Sequence, residues 1–110
     1  MSFTERTESG VYICGVSGQL IVGNRHELKQ MVLDALDSGT TKFVVDFSET
    51  GYIDSSGLGV LVSLSKKISE AGGEIRLAAL NEDLKTLFEL TKLDTLFKLY
   101  DSAESARNGF

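Results

Sequence analysis

The 110-residue sequence has no proline, a single cysteine and a single histidine, and each scarcity removes a class of chemistry. Cys14 has no second cysteine to pair with, so no disulfide framework exists, and its apolar surroundings Val11-Tyr12-Ile13-Cys14-Gly15-Val16 read as a buried thiol acting as a small hydrophobe. His26 would have to anchor any metal cluster or Ser-His-Asp triad alone, from an exposed-looking helix position, so no metal site and no cofactor are expected. Eleven basic residues stand against sixteen acidic ones, a net charge of −5, and the electrostatic footprint of a direct nucleic-acid binder is missing. The longest strongly apolar stretch, Leu58 to Val62, falls far short of the roughly 18 residues of a membrane span. Met1-Ser2-Phe3-Thr4-Glu5-Arg6 carries neither the charged nor the apolar region of a secretory signal. The expected setting is the cytoplasm, with no membrane partner.

What is present is ordinary for a folded chain: 42% hydrophobic and 25% charged residues in a length that suits one core, hence a single domain over 1–110. Without proline, glycine and asparagine punctuate the chain. Thr4 to Glu8 and Val11 to Val16, parted at Ser9-Gly10, read as a hairpin, and Gly18 to Gly23 as a loop. Asn24 is a candidate N-cap for a helix with Leu28, Met31, Val32, Ala35 and Leu36 on one face, stopped at Gly39. Lys42 to Phe47 has the β-branched and aromatic content of a strand buried on both sides.

After a loop from Ser48 to Tyr52, a serine pair opens a second helix carrying Leu58, Leu61, Val62 and Ile68, ended by Gly72-Gly73. Glu74 to Leu80 is a strand and Asn81 an N-cap. A third helix turns Leu84, Leu87, Phe88 and Thr91 inward, and Phe97 to Tyr100 is a last strand. Residues from about 102 to 110 read either as a final helical turn or as a frayed tail. Helix-length crossovers between the later strands demand parallel pairing and right-handed connections. The fold class is therefore α/β, a mixed sheet with an N-terminal antiparallel hairpin, later parallel strands and helices packed against it.

The stretch richest in chemistry is Asp54-Ser55-Ser56-Gly57-Leu58-Gly59, lying between a strand and a helix start. A hydroxyl there faces unpaired backbone N–H groups and the positive end of the helix dipole, where a phosphate is accommodated. Gly57 and Gly59 keep the surface low for an approaching partner. The plainer reading makes the serines caps and the glycines packing devices. Ser56-Gly57-Leu58-Gly59 lacks the lysine of a P-loop and the third glycine of a dinucleotide fingerprint.

In this motif the chain resembles the STAS domain family, and within it the anti-sigma factor antagonists. The likeness extends to Val44-Val45-Asp46-Phe47-Ser48 before the motif, to Gly72-Gly73-Glu74-Ile75-Arg76-Leu77-Ala78 after it, and to Asn81, Leu84, Leu87, Phe88 and Thr91. The resemblance implies a single STAS domain that binds an anti-sigma factor serine kinase in a partner-switching pathway. The kinase inactivates it by phosphorylating the serine after the aspartate, here Ser55, with Ser56 the second choice, and a serine phosphatase reverses this. The implied partner surface comprises Asp54, Ser55, Ser56, Gly57, Leu58 and Gly59. Many members carry Gly-x-Leu-Asp after the second strand, whereas this chain reads Gly18-Gln19-Leu20-Ile21, which makes Ile21 a candidate apolar contact. Asp46 reads as structural, for no acidic pair accompanies it to bind magnesium. The rival readings are a scaffold subunit of a larger signalling complex and, more remotely, a small hydrolase using either serine without an evident base.

Overall fold

Ser9 and Gly10 both take left-handed backbone, φ 53° and 79°, and turn strand β1 (Phe3–Glu8) back onto β2 (Val11–Leu20) as an antiparallel pair. The structure is a computed structural model and describes residues 3–110. Helix α1 (Arg25–Asp37) carries the chain to β3 (Lys42–Ile53), which runs parallel to β2. Helix α2 (Ser55–Glu70) leads to β4 (Glu74–Ala78) and α3 (Glu82–Leu90), through a 3-10 turn at Leu93–Thr95, to β5 (Lys98–Tyr100). A short α4 (Ala103–Asn108) follows. The strands lie in chain order, β1-β2-β3-β4-β5, with every pair after the hairpin parallel.

Strand alternation divides the interior in two. Cys14, Val16, Phe43, Val45, Ile75 and Leu77 point to one face, where they meet Leu28 and Val32 of α1, Leu61, Leu64 and Ile68 of α2, and Leu84 and Phe88 of α3. Val11, Ile13, Val44 and Ala78 point to the other, under Ala106 of α4. The central strand is thus buried on both sides at Phe43 to Val45, as its composition requires. Burial pushes the Cys14 thiol up to about 12, so at neutral pH it is an inert core group.

A six-residue helix is too short to stand by itself, and α4 is fastened by polar groups. Ser102 and Ser105 cap it reciprocally, each oxygen accepting the other's backbone N–H, at 3.0 and 3.2 Å. The buried Arg76 donates from Nη1 to the Ala106 carbonyl at 3.0 Å and lies 3.8 Å from the Phe110 ring centre. Its Nε pairs with Glu74 at 2.7 Å, and Arg107 pairs with Glu8 on β1.

Several expectations need correction. The segment read as a loop at Ser48 to Tyr52 is strand throughout, and of the loop read at Gly18 to Gly23 only residues 21–23 are outside strand, because β2 and β3 remain paired through Leu20 and Ile53 across two register shifts. Glycine and polar side chains hide this from an apolar pattern, while the backbone ladder is indifferent to them. At the first shift the Val16 carbonyl takes the hydroxyl of the buried Thr50 at 2.6 Å. Val62 is not in the inward stripe of α2: it is 38% exposed, and Val60 and Leu64 fill the stripe. Thr91 is exposed and caps the end of α3, its hydroxyl donating to the Leu87 carbonyl at 2.8 Å. Strand β4 stops at Ala78, since Ala79 turns left-handed at φ 61°.

Candidate functional site

The C-terminal ends of β2 and β3 bring the two candidate stretches together. Leu20 pairs with Ile53, the two strands end side by side, and the Asp54 N–H donates to the Leu20 carbonyl at 3.1 Å. Asp54 then adopts extended backbone as the N-cap of α2. Its Oδ1 accepts the Gly57 N–H at 2.8 Å, satisfying one of the helix's orphan donors. Its Oδ2 accepts the Val22 N–H from the opposite loop at 3.1 Å. The cap is therefore the aspartate and not either serine, which corrects the plainer reading of the motif. The preference of aspartate for N-cap positions was the available signal.

Asn24 was expected to cap α1, and its side chain does something else. Its Oδ1 accepts the Ile21 N–H at 2.9 Å, and its Nδ2 donates to the Gln19 carbonyl at 2.8 Å. With Arg25 N–H donating to the Ile21 carbonyl at 2.8 Å, residues 21–24 form a self-bonded turn that presents Val22 to Asp54. Ile21 is half-buried in this turn, while the Val22 side chain is 60% exposed. The apolar group this loop offers to solvent is chiefly Val22.

Ser55, the first residue of α2, is exposed, and Ser56 beside it is half-buried. No acidic residue lies in the first turn of α2, so within the helix and its cap the positive end of a sixteen-residue helix meets one carboxylate, the capping Asp54. The two glycines separate in role. A Cβ on Gly57 would lie 2.5 Å from the Leu20 carbonyl oxygen and 2.9 Å from Ile53, so Gly57 is buried where helix and strand ends touch. Gly59 is exposed with nothing within 4 Å of its missing Cβ, an open patch on the same helix. Leu58 is half-buried and packs on the core cluster.

Helix α3 is set beside this site by Asn81. Its Oδ1 accepts the Leu84 N–H at 2.8 Å as the α3 cap, and its Nδ2 donates to the Thr50 carbonyl of β3 at 3.3 Å. Asp46, half-buried at the register shift, accepts the Ser48 N–H at 2.9 Å and closes that irregularity. His26 is exposed on α1 and makes no hydrogen bond to either serine among the described residues.

A small α/β domain with an exposed serine opening the helix after its central strand is the class that this geometry defines. The chain belongs to the STAS domain family, whose model matches residues 3–106. It is 34% identical over 105 residues to a Thermotoga maritima protein named "Putative anti-sigma factor antagonist", covering 94% of this chain and 93% of that one. It is 28% identical over 98 residues to the Anti-sigma-B factor antagonist of Staphylococcus aureus, covering 89% and 91%. A crystal structure of a Thermotoga maritima protein with the former name superposes at a TM-score of 0.91, with 33% identity over 97% of this chain and 92% of that one. The phosphorylated form of the Bacillus cell fate determinant SpoIIAA shares the fold at a TM-score of 0.77, with 17% identity and 96% of each chain covered. No helix is long and apolar enough to cross a membrane among the described residues.

Proposed function

We propose that this chain is an anti-sigma factor antagonist that binds a serine-kinase anti-sigma factor, is released when that kinase phosphorylates Ser55, and is restored by a serine phosphatase. The observation that carries the reading is the position of Ser55: an exposed hydroxyl at the first residue of α2, beside a carboxylate already committed as the cap. A kinase reaches that hydroxyl without unfolding the helix. The half-buried Ser56 is the poorer acceptor. The names of the relatives in Thermotoga and Staphylococcus support the antagonist role. In this reading the chain performs no catalysis, and its partner surface comprises Asp54, Ser55, Ser56, Leu58, Gly59 and the Ile21-Val22 turn.

The switch follows from charge. A phosphate adds about −1.5 to −2 at Ser55, and at an interface that charge must shed its hydration against the partner. An antagonist that docks through this surface is displaced by the modification while its own core is untouched. The test is affinity capture from the native cell, identification of the bound protein, and incubation of the chain with that protein and ATP. One phosphate on Ser55 and loss of binding are expected. A bound protein that leaves Ser55 unmodified, or a phosphate found on Ser56, overturns the assignment.

A further inference from the structure

Between the N-terminal turn of α2 and helix α3 lies an open hollow of about 480 Å³. Leu58, Leu84 and Leu87 give it an apolar floor, Tyr52 stands at its side 57% exposed, and Ser55 and Asp83 line it as well. The carboxylates near it are not equivalent. Both oxygens of Asp54 are occupied by backbone N–H groups, and Glu82 pairs with Lys85 at 3.6 Å. Asp83, exposed in the first turn of α3, has neither an ion pair nor a side-chain hydrogen bond among the described residues. We propose that this hollow seats an apolar side chain of the anti-sigma partner, with an adjacent lysine or arginine of the partner pairing with Asp83. The proposal rests on the antagonist reading above and names the chemistry of the partner segment that this surface fits.

Charge complementarity selects this occupant. An anionic ligand would meet the free Asp83 carboxylate on a chain of net charge −5, whereas a basic segment is attracted to both. An apolar anchor in a small pocket, ringed by polar contacts, is the arrangement that concentrates binding energy at protein interfaces. Ser55 lining the hollow joins the anchor to the switch. A phosphate there places a hydrated dianion against the apolar floor, and the anchor loses its seat. The added charge also attracts the partner's cation, but Asp83 already pairs with that cation, so occlusion of the floor dominates.

The test is an amide NMR titration of the full chain with two synthetic peptides of equal length, one combining leucine with lysine and the other leucine with glutamate. The basic peptide is expected to shift Tyr52, Ser55, Leu58, Asp83 and Leu87, and the acidic one to bind at least about ten-fold more weakly, a 1.4 kcal/mol difference. Leu87→Ala and Asp83→Lys should each weaken the basic peptide about ten-fold, and phosphorylated Ser55 should do the same. Asp83 is exposed, so Asp83→Lys reads the contact even where Leu87→Ala disturbs packing. Equal shifts with both peptides, shifts elsewhere, or wild-type affinity in Asp83→Lys overturns the proposal. Kinase incubation separates the two readings. A chain that the kinase phosphorylates on Ser55 but whose hollow, before phosphorylation, ignores both peptides disproves the docking site alone, and a hollow that binds the basic peptide in a chain no kinase modifies disproves the kinase-switched antagonist role alone.

Discussion

Val22 donates its backbone N–H to the Oδ2 of Asp54, thirty-two residues further along the chain, at 3.1 Å. The other oxygen of the same carboxylate holds Gly57 at 2.8 Å. One side chain thereby fastens the turn after β2 to the start of α2. The exposed Val22 and the exposed Ser55 belong to one continuous surface because of it.

Removing that carboxylate should loosen two elements at once. Loss of an N-cap costs about 0.5–2 kcal/mol, and the further bond to Val22 adds to this. Asp54→Ala is expected to lower stability by about 1–3 kcal/mol and Asp54→Asn by less, since the amide keeps one acceptor oxygen. Urea unfolding measures both, with a reduced midpoint at unchanged slope. Equal midpoints for the wild-type and alanine proteins would show the clamp to be inert.

The two motif glycines should respond in opposite directions. Gly57→Ala forces a methyl to 2.5 Å from the Leu20 carbonyl oxygen, an overpacking that costs about 1–3 kcal/mol. Gly59→Ala meets nothing within 4 Å and gains helix propensity, so it should stabilise by about 0.5–1 kcal/mol. Thermal melts separate the pair. If Gly59 lies under the partner, Gly59→Ala also weakens binding despite the higher melting temperature, which calorimetric titration would detect.

Phosphorylation of Ser55 should move affinity far more than stability. Charge at a helix N-terminus gains only ~0.3–1 kcal/mol from the dipole, and Asp54 beside it acts against this. A charge left unpaired in an interface commonly costs ~2–5 kcal/mol, roughly 30-fold to several-thousand-fold in affinity. The phosphorylated chain should melt near the wild type and fail to bind, and Ser55→Ala should bind and resist the kinase. A modified chain that binds undiminished, or that releases its partner only by unfolding, contradicts this.

Acid should release α4 before the rest of the fold. Arg6 and then Arg107 hold Glu8 below the usual carboxylate value of 4.5, and Arg76 does the same for Glu74. Depressed folded values mean that the unfolded chain binds more protons in acid. The stabilising contribution is complete above 4.5 and lost as pH falls through the lower folded values. Amide exchange over 103–108 should accelerate as pH falls below 4.5 and through those lower values, while Phe43 to Val45 stay protected. Uniform protection at all pH values would show that these pairs do not secure the helix.

The sequence made the architecture legible wherever side-chain pattern and backbone pairing agree. The Ser9-Gly10 turn, the two-sided apolar run at Phe43 to Val45 and the Gly72-Gly73 stop each carry a local cause that a reader can name. The far halves of β2 and β3 carry none, because their pairing is a backbone relation between Ser17–Leu20 and Glu49–Ile53 across shifted register. Of the motif, the exposed serine was legible, while the burial of Gly57 was not, since it depends on a carbonyl thirty-seven residues earlier, that of Leu20. Nor does any spacing foretell that Asn24 turns back to Gln19 and Ile21 and leaves α1 uncapped by its side chain.

The sheet order β1-β2-β3-β4-β5 repeats the order of the chain, so no strand is ever inserted between two others. Each new strand joins an edge that the preceding segment has just built. A folding chain can therefore lengthen its sheet one strand at a time, closing one helix-length crossover at each step after the hairpin. The last additions, the three-residue β5 and the strap α4, are the smallest. Folding in this order would complete the surface around Ser55 before α4 covers the back of the sheet.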